Sequence, residues 1–118
     1  MTRKAAERWG RRGEDLACLW LCLKGYAVLA RRVATPVGEV DIVARRGRTT
    51  VFVEVKARPS LDQAAAALTP RGMARVCRAA QLLAARYGTN ADFMRVDAIL
   101  VAPNRFPRHL RNVVLEGA

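Results

Sequence analysis

Gly38-Glu-Val-Asp41-Ile-Val-Ala44, followed after a short interval by Val51-Phe-Val-Glu54-Val-Lys56, decides how this chain is read. Both runs are valine-rich and alternate in the manner of strands. Between them Arg45-Arg46-Gly47-Arg48 carries a hairpin signal, with a glycine placed to accept positive φ. Strand side chains alternate faces, so Glu54 and Lys56 point one way and Val51, Val53 and Val55 the other, into a core. The loop fixes where Asp41 falls. With Gly47-Arg48 as a two-residue loop, Arg46 pairs with Thr49, Asp41 lies opposite Glu54, and Glu39 lies opposite Lys56. With Arg46-Gly47 as the loop, Asp41 becomes a diagonal neighbour of Glu54 on the same face. Either register gathers Asp41, Glu54 and Lys56, with cross-strand Cβ atoms about 4.5–5.5 Å apart.

Two adjacent carboxylates repel, and both ionise readily only beside a counter-charge. Mg²⁺ takes oxygen ligands and is commonly held by one or two carboxylates together with water and substrate phosphate. Such an ion polarises a phosphoryl oxygen and acidifies its bound water. A lysine alongside orients that water or stabilises charge developing on phosphorus. The competing reading is an ordinary solvated sheet face with a Glu39–Lys56 cross-strand salt bridge.

Around the hairpin the pattern is α/β. Residues Ala5 to Lys24 read as a helix stopped by Gly25. Its apolar stripe is Trp9, Leu16, Leu19, Trp20 and Leu23, widened by Cys18, Leu21 and Cys22, which predicts a C-terminal half nearly surrounded by protein. Lys4, Arg8, Arg11 and Arg12 share one face of the N-terminal half, either a solvated face or a phosphate-contacting stripe. Strands are predicted over Tyr26–Arg32, Val37–Ala44 and Thr49–Ala57. Asp62–Leu68 reads as helix or connection. Thr69 caps a helix with Pro70 at its first position, running to Tyr87 and stopped by Gly88. A fourth strand covers Phe93–Val101, and His109–Glu116 is a candidate edge strand. The order is helix, three strands, helix, one or two strands, within one domain spanning residues 1–118.

Composition narrows the partners. The 118 residues are 52% hydrophobic, enough for a core, with a formal net charge of +11. A charge of that sign and size points to a polyanion, nucleic acid first. It is spread along the chain rather than set against one apolar face, which argues against a membrane surface. The longest apolar run, Leu16–Leu23, is too short to span a bilayer, and the first residues lack a secretory pattern. Cys18, Cys22 and Cys77 form no CxxC pair and, beside a single histidine, give no zinc set, so they are expected as small buried residues in a reducing cytoplasm. The chain has 18 arginines and 3 lysines, which makes a lysine at position 56 pointed.

Asp41 and then Glu54-Val-Lys56 on the next strand of a hairpin resemble the PD-(D/E)XK nuclease signature. Further blocks extend the likeness from about residue 8 to residue 102: Gly13-Glu14-Asp-Leu-Ala17, Gly25-Tyr26, Val51 through Arg58, Arg75-Val-Cys-Arg-Ala-Ala80 and Arg95-Val-Asp-Ala-Ile99. Together they are similar to the YraN-like family of uncharacterised proteins, predicted endonucleases related to archaeal Holliday junction resolvases. The resemblance implies a restriction-endonuclease-like α-β-β-β-α-β core, with a mixed sheet of four to five strands flanked by helices. It implies Mg²⁺ or Mn²⁺ on Asp41 and Glu54, assistance from Lys56, and Glu14 as a further carboxylate at the metal. Asp97 matches a family position on the fourth strand, where pairing with an arginine competes with a role at the site, and Glu39 is a candidate support for the ligands. The chain departs from the family where it has Ala30-Arg-Arg32 in place of an asparagine-containing segment. It also has Arg71-Gly72 where a lysine is common.

The expected activity is metal-dependent hydrolysis of DNA, branched or damaged DNA included. Arg8, Arg11, Arg12, Arg46, Arg48, Arg58 and Arg71 are the candidate phosphate contacts. Resolving a junction takes two cuts, so that version calls for a homodimer. The alternative is a nucleic-acid-binding protein that keeps the fold without catalysis.

Overall fold

A computed structural model describes residues 1–88 and 93–113. Helix α1 (Arg3–Leu23) leads into strands β1 (Ala27–Thr35), β2 (Gly38–Arg46) and β3 (Thr49–Ala57). Helices α2 (Leu61–Ala66) and α3 (Pro70–Tyr87) carry the chain to β4 (Phe93–Val101), and β5 (Arg108–Leu110) follows. The five strands lie in sequence order, β3 and β4 parallel and every other pair antiparallel. A parallel neighbour needs a crossover, and α2 with α3 supplies it.

Local chemistry accounts for the boundaries. Thr69 Oγ1 accepts the Gly72 amide at 3.0 Å, Pro70 opens α3, and Gly88 caps it. The β2–β3 hairpin turns through Gly47-Arg48, with Gly47 at φ 59° and Arg46 paired with Thr49. That is the first of the two registers considered above. β1 extends past its expected end because Thr35-Pro-Val-Gly38 forms a second hairpin, whose Thr35 hydroxyl donates to the Gly38 carbonyl at 2.6 Å. β5 covers only the start of the expected edge strand, and residues 114–116 lie outside those described.

Both sheet faces are covered. Ile42, Ala44, Val51, Val53, Val55, Ile99 and Val101 pack under α1 with Ala17 and Leu21. Val33, Val40, Val43 and Phe52 pack under α3 with Ala79, Ala80 and Leu83. α1 approaches through small residues: a Cβ on Gly13 would stand 2.5 Å from the Ala57 Cβ. Trp9, Leu16, Cys18 and Leu21 of the expected stripe pack against this core, and the rest of the stripe does not. Gly13, Ala17 and Leu21 face the sheet, whereas Leu19 and Leu23 are 56% and 71% exposed. Trp20 packs against Phe106, but with Leu19 and Leu23 exposed the C-terminal half of α1 is not surrounded. The cysteines follow suit: Cys22 is exposed, Cys18 and Cys77 are half-buried, and all three are free thiols.

Under the C-terminal end of α1 lies a polar network. Asp97 is fully buried and accepts from Arg95 at 2.8 Å, His109 Nε2 at 2.7 Å and the Asn112 amide at 2.9 Å. Lys24 Nζ donates to His109 Nδ1 at 2.7 Å, which leaves the ring's proton on Nε2, facing Asp97. Arg95 also reaches the Tyr26 hydroxyl, and Arg46 stacks 4.5 Å over the Tyr26 ring. Burial alone would raise the Asp97 pKa, but the His109, Arg95 and Asn112 hydrogen bonds hold it down to about 2. Asp97 is therefore a structural partner for Arg95, the competing reading given above. Removing the carboxylate strands Arg95 and His109, so Asp97→Ala is expected to cost about 3–5 kcal/mol. Urea unfolding at neutral pH checks this, and a loss under about 1 kcal/mol contradicts it.

Candidate active site

The site forms where β2 and β3 part. Their ladder runs from Arg46↔Thr49 to Ile42↔Val53. One step further, the register carries Asp41 opposite Glu54, but the strands no longer pair. Asp41 Oδ2 instead accepts the Val55 amide at 2.8 Å. A carboxylate thus takes a backbone donor that the missing ladder bond would leave orphaned. β2 also changes face here: Val43 and Val40 lie in the same core cluster although three residues separate them. On β1 the same switch falls at Arg32, whose φ of 50° is left-handed. Arg32 sits between the pairs Arg31↔Ile42 and Val33↔Val40, across from Asp41. The local twist brings the Asp41 carboxylate against β3 and up to Glu54.

Glu54 is half-buried at the edge of the α3-side core. Burial, first, then a hydrogen bond with Asp41 and that neighbour's charge raise its pKa to about 8, against a smaller lowering by Lys56. Glu14 pushes in the same direction as Asp41. Asp41, Lys56 and Glu14 therefore all act electrostatically on Glu54. At neutral pH the Asp41–Glu54 pair holds one proton between two carboxylates.

Glu14 arrives from α1, on the turn after Gly13. Its Oε1 accepts from Arg32 Nε at 2.9 Å and lies 3.7 Å from Arg31, which also pairs with Asp15 at 2.8 Å. Glu14 is thus engaged by β1 rather than by its helical neighbours Arg11 or Arg12. Among the described residues no group of three acidic, histidine or cysteine side chains is set to hold a metal. The donor set that fits a hard divalent cation is the Asp41–Glu54 pair: oxygen only, adjacent, and short of one countercharge. Glu39 is exposed on β2 and pairs in the β1 ladder with Ala34.

On the α3 side a cavity of about 240 Å³ opens beside the pair. Glu54, Lys56, Arg71 and Arg75 line it, with Thr69 and Gly72 of the α3 start. The other arginines singled out from sequence divide. Arg8, Arg11, Arg12 and Arg48 are exposed. Arg46 donates to the Lys24 carbonyl at 3.2 Å while stacking on Tyr26. Arg58 is half-buried and donates to the Ala57 carbonyl at 2.9 Å. Sequence reasoning missed Arg31 and Arg32 as the partners of Glu14, and Arg75 as part of the cleft. The left-handed backbone at Arg32 has no signal in its residue type.

A central sheet with α1 on one face and α3 on the other, and paired carboxylates at the end of an opened hairpin, defines a restriction-endonuclease-like fold. Among solved structures the chain is similar to Hjc of Archaeoglobus fulgidus, a Holliday junction resolvase from an archaeal hyperthermophile. The match has a TM-score of 0.59 and 24% identity, covering 85% of this chain and 73% of that one. The profile of the uncharacterised protein family UPF0102 matches residues 13–101, and the chain belongs to that family. A UPF0102 protein of Sphingopyxis alaskensis is 49% identical over 113 residues, 96% of this chain and 97% of the relative. Another from Parvibaculum lavamentivorans is 54% identical over 110 residues, covering 92% and 83%.

The raised Glu54 pKa has a signed consequence. Between 4.5, the ordinary value, and about 8, the folded protein holds a proton that the unfolded chain has released. Stability then falls as pH rises across that window, with a slope of at most about 1.4 kcal/mol per pH unit from this group. Glu54→Gln keeps a neutral partner for Asp41 and should flatten that part of the profile. Urea midpoints from pH 5 to pH 9 in EDTA test it, and an unchanged slope in the variant rules it out.

Proposed function

We propose that this protein is a metal-dependent endonuclease acting on DNA phosphodiester bonds. The observation that carries the reading is the Asp41–Glu54 pair, hydrogen-bonded across parted strands beside Lys56 and an arginine-lined cleft. A hydrogen-bonded pair of carboxylates at the edge of a core has little structural purpose, because an apolar pair would fill that space at less electrostatic cost. Asp41 and Glu54 would hold Mg²⁺ or Mn²⁺, which supplies an acidified water and a polarised phosphoryl oxygen. Asp41 is already fixed by the Val55 amide, so its second oxygen is oriented before any ligand arrives. Glu54 would hold the ion as its carboxylate, so cation binding would compete with the proton it carries. Lys56 faces the cleft and stabilises charge developing on the phosphoryl oxygens. Glu14, committed to Arg31 and Arg32, deepens the negative potential at the pair and holds α1 against β1. The basic N-terminal half of α1 and Arg71 would bind phosphates without reading bases. No helix among the described residues is long and apolar enough to cross a membrane. A homodimer would place two such sites on a branched substrate.

Cleavage of linear, flapped and four-way DNA, each with Mg²⁺, Mn²⁺ or EDTA, tests the reading. Nicking is expected with metal alone. Asp41→Ala should abolish it, and Lys56→Ala should lower the rate on the order of 10²–10³-fold. DNA binding without cleavage in any metal, unchanged in Lys56→Ala, would instead establish the non-catalytic alternative.

A further inference from the structure

The GEVD block opens with a glycine whose role is not to turn the chain alone. Gly38 sits at φ 140°, and a Cβ there would stand 2.9 Å from Cδ and 3.4 Å from Cγ of Arg75. The aliphatic stem of Arg75 therefore lies directly on the bare Cα of Gly38, three residues before Asp41. Arg75 also lines the cleft shared with Glu54, Lys56 and Arg71. Among the described residues the Arg75 side chain has no hydrogen bond or ion pair, whereas Arg31, Arg32, Arg46, Arg58 and Arg95 are all engaged. A cation with a seated stem and an uncommitted head, facing a cleft, is placed for an anion from outside the chain.

The size of the cleft limits that anion. At about 240 Å³ it is smaller than the roughly 300–1,000 Å³ typical of small-molecule sites. It has room for one phosphate with its flanking linkages, and its charged lining is arginine and lysine beside one carboxylate. We propose that Arg75, seated on Gly38, grips a non-bridging oxygen of a single phosphodiester in this cleft, with Arg71 one turn earlier, and that the cleft reads backbone and no base. This inference rests on the nuclease reading for its substrate class, and it assigns to Arg75 the positioning of the phosphate against the carboxylate pair. Asp41 and Glu54 then face that phosphate from the sheet and Arg75 from the helix. Arg75 sits one turn after Arg71 on α3, so the two guanidinium groups form one row along the cleft wall.

The test separates this seat from catalysis. A dinucleotide with one phosphodiester is titrated in EDTA and followed by NMR shifts, beside the two unlinked nucleosides. The wild type should bind the dinucleotide and not the nucleosides, whatever the bases. Arg75→Ala should weaken binding about tenfold or more, Arg75→Lys by less because a lysine keeps charge without the fork. Arg78→Ala, an exposed arginine outside the cleft lining, should leave it unchanged. Equal affinity in Arg75→Ala and wild type overturns the proposal, as does equal binding of the unlinked nucleosides. Cleavage assays on the same variants keep the two readings apart. Loss of dinucleotide binding in Arg75→Ala, in a protein that cleaves nothing, upholds the seat and ends the nuclease reading. Wild-type binding and cleavage in Arg75→Ala end the seat alone.

Discussion

The hydrogen bond from the Val55 amide to Asp41 is the constraint on which the rest of the site depends. Two paired strands leave no room for a cation between them, because their backbone groups satisfy one another. Here the ladder stops at Ile42↔Val53, and a carboxylate takes over the next donor. The parting of the strands therefore leaves no buried amide unpaired. The same carboxylate is brought against Glu54, whose proton affinity is raised by burial first and by Asp41 next. Stability and function oppose each other at this point. An apolar pair would favour the fold, while the carboxylates create a place where a divalent cation gains what the protein alone lacks.

Such a strained end needs a firm frame elsewhere. The neighbouring strand supplies it through Asp97, level with Val53, which ties β4 to β5, and through Arg95 and Tyr26 to the start of β1. Arg46 adds the hairpin turn by stacking on Tyr26 and donating to the end of α1. Two carboxylates in one sheet thus have opposite fates. Asp97, buried among arginine, histidine and an amide, ionises more readily than usual. Glu54, buried beside another carboxylate, holds its proton. The nature of the neighbours, more than burial, separates a structural acid from a candidate ligand.

Much of this was legible in the sequence because the signals were local. Hairpin register follows from loop length, so Asp41 could be set opposite Glu54 by counting. Thr69-Pro70 and Gly88 bounded α3 because capping chemistry is carried by single residues. What failed depended on contacts between elements. Large apolar side chains drew the buried stripe of α1 too wide, since Leu19 and Leu23 are exposed while Gly13 and Ala17, with little or no side chain, permit the close approach. Arg46 read as a phosphate contact because its turn is basic, yet Tyr26, twenty residues away in sequence, engages it. The face switch at Arg32 and Val40 leaves no mark on periodicity that alternation alone would detect.

The arrangement of the uncommitted arginines follows from these packing facts. Gly13 lies on Ala57, and the Trp9 indole donates to the Arg58 carbonyl at 3.2 Å, so the N-terminal half of α1 sits at the exit of β3. The start of α3 reaches the same end of β3 from the other face, where Arg71 and Arg75 border Glu54 and Lys56. Arg8, Arg11 and Arg12 therefore approach from one side of the sheet and Arg71 and Arg75 from the other. The carboxylate pair lies between them. Away from this end Arg95 is paired with Asp97 and Arg46 is turned onto Tyr26, while Arg48 and Arg86 stay exposed. In the proposed reading a phosphate backbone would enter at the exit of β3, flanked by these two sets of arginines with the Asp41–Glu54 pair between them.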